Sequence, residues 1–443
     1  MPVLNPRPLT RREVALLAYP AARASQRPEK PPNIVFIISD DHGWPDYGFM
    51  GHPKVRTPHI DRLAREGLAL TRGYVPTSLC RPSLASMMTG LYPHQHRITG
   101  NDPKGDAKNA ASRAAMVGVF QESRTLAGLL AERGYVSHQS GKWWEGECKC
   151  GGFTECMTHG DVARGGRHGD EGLKIGRQTM QPIYDFVARA GQKPFFLWYA
   201  PFLPHTPHTP PERLLANYRG AGVPIEVARY WAMIEWLDET VGQLTGHLEE
   251  KGLLDDTLIF YLADNGWIQK DAATPFWQTR SKLSPYDAGV RTPILVWGRG
   301  RVRPERDDGN PASSVDLVPT VLRACGIPVP RSLPGIDLLD GAARKRRDTI
   351  YGAIFAHTSE DIRNPRANVK YRWILRGRHK LIVPDPVNSR VELWPGRPEI
   401  SWARPKPELF DVAGDPEETR DLFETEPKLA ADLRRRLDRW WRI

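Results

Sequence analysis

Two acidic stretches, one cysteine, a lysine and a histidine carry the chemistry available to this chain. Asp40-Asp41 follows the apolar run 33–39, and Asp264-Asn265 follows the apolar run 258–263. Continuous apolar runs of this length read as buried strands of a parallel sheet, and ligands collect at the carboxyl ends of such strands. Carboxylate and amide oxygens converging there form the donor set of a hard divalent cation. Taken singly, each stretch is as readily a turn, since Asp-Asn-Gly sequences and paired aspartates make turns.

Cys80 lies in Val75-Pro-Thr-Ser-Leu-Cys80-Arg-Pro82-Ser-Leu-Ala-Ser-Met-Met-Thr-Gly90. Pro82 suits a first helical turn and Gly90 a helix end, so the spacing predicts a helix with Cys80 at or just before its N-terminus. Unpaired backbone N–H groups there favour an anion, which makes Cys80 a candidate nucleophile; the plainer reading is an inert core thiol. Lys142 follows the predicted strand 135–140 after Gly141, where an ammonium could enter a pocket rather than solvent. His205, in Pro201-Phe-Leu-Pro-His205-Thr-Pro-His208, could protonate a departing oxygen, or with His208 simply hydrogen-bond the loop.

In their order along the chain these stretches resemble the type I sulfatase family. The resemblance rests on Asp40-Asp41, Thr57-Pro-His-Ile-Asp-Arg-Leu-Ala-Arg-Glu-Gly67, Cys80-Arg-Pro82 with Ser86, Thr89 and Gly90, Gly141-Lys142-Trp143, His205, and Asp264-Asn265-Gly266. It continues through Lys282, Tyr286-Asp-Ala-Gly-Val-Arg-Thr-Pro293 and Glu408-Leu-Phe-Asp411, and so covers most of residues 33–423. It implies an alkaline-phosphatase-like α/β sandwich around a large mixed, mostly parallel sheet, with a smaller C-terminal α+β domain. It implies hydrolysis of a sulfate monoester to an alcohol and inorganic sulfate. One Ca2+, with Mg2+ as the alternative, would sit on Asp40, Asp41, Asp264, Asn265 and the group derived from Cys80. A formylglycine-generating enzyme would be a transient partner that oxidises Cys80 to formylglycine. Lys142, Lys282 and His205 would bind the sulfate and protonate the alcohol, whereas Arg291 would stabilise the local fold.

Four departures accompany the resemblance. Leu84 stands where the family has arginine, Trp144 where it has histidine, His59 where it has asparagine, and Asp287-Ala288 where Glu-Gly is commoner. The contacts of the missing arginine and histidine are therefore not carried over. Two other functions fit the same stretches: hydrolysis of phosphate mono- or diesters, and noncatalytic binding of an anion or glycan, which Leu84 and Trp144 would favour. Fourteen tryptophans make a sulfated carbohydrate the preferred substrate over a small sulfate ester.

The elements that must position these residues are legible in outline. Helices are expected at 57–67, 125–134, 227–248 and 314–322 and from about residue 427, and strands at 195–200, 294–297, 371–375 and 380–383. A basic turn at 344–347 divides a catalytic domain, 31–345, from a C-terminal α+β subdomain, 346–443. His94 and His96 could border the pocket or serve capping and packing. The formal charge of +10 suits an anionic substrate or a solvated surface, and no basic block or zinc-finger spacing points to nucleic acid.

Cys148, Cys150 and Cys156, with His159 nearby, could hold zinc, form one disulfide plus a free thiol, or make a plain loop; Cys325 reads as a core thiol. No apolar run reaches membrane-spanning length, so no transmembrane partner is expected. Paired arginines, a short apolar segment and Ala22-Arg-Ala24 outline an export signal within residues 1–30. Location is therefore expected to be periplasmic or secreted, with the cytoplasm as the alternative.

Overall fold

Strands buried on both faces build the sheet that carries the site. The structure is a computed structural model, and it describes residues 30–269, 277–390 and 405–443; the export-signal expectation lies outside them. Strand β1 (Asn33–Ser39) is buried along its whole length. Ile34, Phe36 and Ile38 join one core with Phe196, Trp198, Phe260 and Leu262, while Val35 and Ile37 join another with Leu197, Tyr199, Ile259 and Tyr261. Successive side chains of a strand point to opposite faces, so an unbroken apolar run requires a covering layer on both.

Strands β2 (Leu68–Leu70), β3 (Val136–Gly141), β4 (Glu155–Cys156), β5 (Phe195–Ala200), β6 (Thr257–Ala263), β7 (Ile294–Trp297) and β8 (Glu305–Asp307) complete the sheet. Its order is β8-β2-β7-β6-β1-β5-β3-β4. Neighbours from β6 through β4 run parallel, and β7 is antiparallel to both β6 and β2. One face is covered by α2 (Cys80–Thr89), α4 (Leu126–Ala131) and α7 (Leu317–Ala324), through residues such as Met87, Leu129 and Val321. The other is covered by α1 (Pro58–Glu66), α5 (Gln181–Ala190) and α6 (Ile225–Glu250), through Leu63, Phe186 and Leu244. Helix α3 (Ala110–Gln121) lies between α2 and α4 in the chain and adds Met116 and Val119 to the buried set.

A second sheet, β9 (Thr349–Phe355), β10 (Val369–Arg376), β11 (His379–Pro384) and β12 (Glu408–Asp411), is antiparallel throughout. Helix α8 (Pro427–Trp440) buries Ala430, Leu433 and Leu437 against Ile374, Leu381, Val383 and Leu409. A fully buried leucine contributes about 1.5–3 kcal/mol relative to an exposed one, so this seam holds the helix. The opposite face, with Tyr371, Trp373, Leu375 and Ile382, joins the main core. Buried Lys380 pairs there with Asp287 (2.8 Å) and Glu418 (3.0 Å). The molecule thus has the expected alkaline-phosphatase-like architecture, a large mixed, mostly parallel sheet between helices and a smaller C-terminal α+β domain.

The basic segment expected as a turn is instead the end of a short helix, Gly341–Arg346. Asp340 caps it by accepting from the Ala342 and Ala343 amides, and the cations sit in its last turn, where the helix dipole favours them. Of the alternatives for the cysteine loop, a Cys148–Cys156 disulfide with Cys150 free is the one found, which removes two of the three thiols a zinc site would need. Cys325 is half-buried against the core and accepts from the Tyr135 hydroxyl (3.1 Å). No helix among the described residues is long and apolar enough to cross a membrane.

Candidate active site

The carboxyl ends of four adjacent strands, β6, β1, β5 and β3, converge on one buried point. Asp40 and Asp41 continue β1, Asp264 and Asn265 continue β6, and Lys142 follows β3. The ends are stitched together: the Asp264 amide donates to the Ser39 carbonyl (2.9 Å), the Asp41 amide to Asp264 Oδ1 (3.1 Å), and the Asp40 amide to the Leu203 carbonyl (2.9 Å). Asp41 has left-handed backbone (φ 58°), a conformation that aspartate tolerates better than most residues. Gly141 is also left-handed (φ 87°), and a Cβ there would lie 1.9 Å from the Ala200 carbonyl oxygen. Glycine is thus required for the turn that aims Lys142 inward.

Lys142 Nζ binds both oxygens of Asp40 (2.7 and 2.6 Å) and lies 3.7 Å from Asp264 Oδ2. Lys282 Nζ binds Asp41 Oδ1 (2.5 Å) and donates to Cys80 Sγ (3.3 Å). The Trp267 and Trp277 rings flank this ammonium at 5.8 and 5.5 Å. His205 stacks on Phe202 (4.1 Å between centroids), directs Nδ1 at the Thr206 carbonyl (2.6 Å), and brings Nε2 to 3.4 Å from Asp41 Oδ2. With Nδ1–H committed to that carbonyl, Nε2 donates only when the ring is protonated.

Cys80 is the first residue of α2 and is 1% exposed. Burial pushes its thiol up to about 12, against the pull of Lys142 and Lys282, so at neutral pH the unmodified side chain is a thiol. Burial raises the Asp41 carboxyl, but Lys282, His205 and Lys142 outweigh it and hold the group below the usual range. Burial, then the Asp40 charge, raises Asp264 well above it.

The donor set fits a hard divalent cation. Asp41 Oδ2, Asp264 Oδ2 and Asn265 Oδ1 are buried with no hydrogen-bond partner, a costly condition that a cation would relieve. Ligand atoms of Asp40, Asp41 and Cys80 lie within 4.8 Å of one another. Three carboxylates against two ammoniums leave a buried excess of acidic groups.

Above this floor opens a cavity of about 520 Å3, lined by Asp41, Cys80, Lys142, His205 and Lys282. Its walls add Trp144, noted above at the family's histidine position, and Asn101, Asp102, Arg167, His168 and His357, which sequence reasoning did not select. His94 and His96 do not border it. His94 stacks on Trp441 (4.6 Å), and His96 bonds Ser86 (3.0 Å) and the Ile98 amide (3.1 Å), so packing and local hydrogen bonding are their roles. His208 packs against Tyr230 (5.4 Å), and Arg291 bonds the Thr71 carbonyl (3.2 Å) and covers Trp44 (3.9 Å).

A family model for sulfatases matches residues 32–327. N-acetylgalactosamine-6-sulfatase of Canis lupus familiaris is 30% identical over 354 residues, 70% of this chain and 66% of that protein. The chain belongs to the type I sulfatase family. Arylsulfatase A of Homo sapiens is 28% identical over 467 residues, 92% of this chain and 86% of that sulfatase. Among solved structures, Ps i-CgsB superposes with a TM-score of 0.73 at 24% identity and 93% coverage of both chains, which supports the fold.

The structure accounts for two departures from the sulfatase pattern. Leu84 is 4% exposed and belongs to the apolar core, so the usual arginine position here faces hydrocarbon. Arg81 does not replace it, because its guanidinium makes a fully buried two-point ion pair with Glu145 (2.8 and 2.5 Å). Trp144 lies between Arg113 and Arg167, with guanidinium-to-ring distances of 5.8 and 4.8 Å, and forms cavity wall in place of an imidazole.

Proposed function

We propose that the protein hydrolyses a sulfate monoester to an alcohol and inorganic sulfate, with a sulfated carbohydrate as its substrate class. The observation that carries this reading is the position of Cys80, at a helix N-terminus, 3.3 Å from the Lys282 ammonium and grouped with Asp40 and Asp41. Asp40, Asp41, Asp264 and Asn265 would hold one Ca2+ or Mg2+, which supplies Lewis-acid stabilisation of sulfate oxygens. Converted to hydrated formylglycine by a formylglycine-generating enzyme, Cys80 would supply the attacking oxygen.

Lys142 and Lys282 neutralise the equatorial sulfate oxygens as charge shifts toward the leaving group. His205 Nε2 delivers the proton to the departing alcohol oxygen; burial lowers the free ring to about 4, so the step requires the bound ester's negative charge to raise it again. Net, water and the ester R–O–SO3− give R–OH, sulfate dianion and one proton. The names of the amino-sugar sulfatases among the relatives support the carbohydrate reading, as does the indole-lined cavity. The Cys148–Cys156 disulfide supports export to an oxidising compartment, in line with the N-terminal segment.

The test is protein co-expressed with a formylglycine-generating enzyme, loaded with Ca2+, and offered sulfated mono- and oligosaccharides, an aryl sulfate and the matching phosphate esters. Sulfate release from a sugar ester is expected. Release of phosphate alone would assign the chain to phosphate ester hydrolysis, and tight binding without release would make it a binding protein.

A further inference from the structure

One imidazole in the cavity wall has no part in the reaction outlined above. His168 belongs to the glycine-rich loop between β4 and α5 and lines the same cavity as Cys80, Lys142 and His205. The Trp143 amide donates to its carbonyl (3.1 Å), which clips the loop beside Lys142. Gly169 and Gly172 hold that approach close: a Cβ on either would lie 3.0 or 2.6 Å from the Gly141 carbonyl oxygen. The ring sits 5.3 Å from Trp144 and 5.5 Å from Phe202, whose own ring carries His205 at 4.1 Å.

Nδ1 of His168 is buried and has no hydrogen-bond partner. An unmet ring nitrogen is costly, and the native arrangement retains it beside a cluster of anion-binding groups. Burial, Lys142, Arg167 and His205 all lower its affinity for a proton, so the ring is neutral at pH 7 and keeps one donor and one acceptor.

We propose that His168 is a further substrate-contacting residue, whose ring hydrogen-bonds an oxygen of the bound sulfate group from the cavity wall. It rests on the sulfate-ester reading for its substrate, and supplies from another loop an imidazole that Trp144 does not provide at its own position.

The test uses the full chain loaded with Ca2+ and inorganic sulfate as the probe. Nitrogen-15 NMR of ring-labelled histidines, assigned by the signal lost in His168→Gln, should show the His168 nitrogens moving as sulfate saturates. Two substitutions separate contact from packing: Phe keeps a ring between Trp144 and Phe202 without its nitrogens, and Gln keeps a hydrogen-bonding group. His168→Phe should weaken sulfate binding about tenfold or more, the size of a lost hydrogen bond to a charged group, with thermal stability preserved and His168→Gln intermediate. With a sugar sulfate, the Phe variant should raise KM, as the loss of a contact already made in the bound state does. An unmoved His168 signal at sulfate saturation, or a Phe variant that binds sulfate as the wild type does, overturns the proposal. A wild-type protein that binds sulfate but cleaves no sulfate ester overturns the functional reading instead, and the binding arm still decides His168.

Discussion

Lys142 Nζ binds both carboxylate oxygens of Asp40, at 2.7 and 2.6 Å. Asp40 therefore serves two cations in the proposed mechanism, the ammonium and the divalent ion, and the two compete for its charge. Removing the ammonium should damage the reaction without weakening the metal site. Lys142→Ala is expected to lower kcat roughly a hundredfold or more, the range found when a transition-state charge partner is lost. Its Ca2+ affinity by calorimetry should be unchanged or tighter. A variant that loses Ca2+ binding along with activity would make Lys142 a structural support of the metal site.

Leu84 bears on whether the family arginine can be restored. The side chain is packed in the apolar core, and the buried carboxylate of Glu145 already belongs to Arg81. A guanidinium at this position would be desolvated without a partner. Leu84→Arg should cost about 3 kcal/mol or more in urea unfolding, in the range of other uncompensated buried charges. A stable variant with raised activity would show that the helix can turn this position toward the cavity.

The floor of the site was readable because its residues stand immediately after apolar runs, and a strand fixes the place of whatever follows it. Asp40, Asp264 and Lys142 reach one point because β1, β6 and β3 are parallel and close in register; Ser39 pairs with Ala263, and Gly141 with Ala200. The walls were not readable in the same way. Asn101, Arg167, His168 and His357 lie in segments without local periodicity, and tertiary folding alone brings them together. His168 sits among glycines that read only as a loop. The 344–347 segment was misassigned because its charges masked a helix end, for which Asp340 was the available signal. Strand β9 was not singled out, although its alternating half is buried against the main core at Ile350 and Ile354.

Asp238 gives the fold a pH dependence away from the cavity. On α6, it accepts the His59 and Ile60 amides at the start of α1, at 3.1 and 2.8 Å. Burial pushes its carboxyl up to about 7, and the two amides pull the other way without matching it. The folded protein thus binds a proton that the unfolded chain releases above about pH 4. Stability from this group is fully present below the unfolded value and is lost as pH rises through about 7. Relative to Asp238→Asn, which keeps a neutral acceptor, the wild type should lose on the order of 4 kcal/mol between pH 4 and pH 7.5, read from urea unfolding. Parallel profiles for the two proteins would show that Asp238 stays ionised in the fold.

Cys80 decides which chemistry the site performs. Burial keeps its thiol protonated at neutral pH, so a thiolate attack would begin from a minor species. Oxidation at Cβ with loss of the sulfur replaces that thiol by a carbonyl whose hydrate presents oxygen to the same place, 3.3 Å from the Lys282 ammonium at the position of Sγ. Peptide mass spectrometry after co-expression with a formylglycine-generating enzyme should find residue 80 without sulfur, and activity across preparations should scale with the converted fraction. Cys80→Ala should fold, bind Ca2+ through the aspartates, and lose roughly a thousandfold or more of kcat. Full activity in preparations whose residue 80 is entirely cysteine would overturn the conversion while leaving the nucleophile in place. Full activity of Cys80→Ala would remove Cys80 from the reaction.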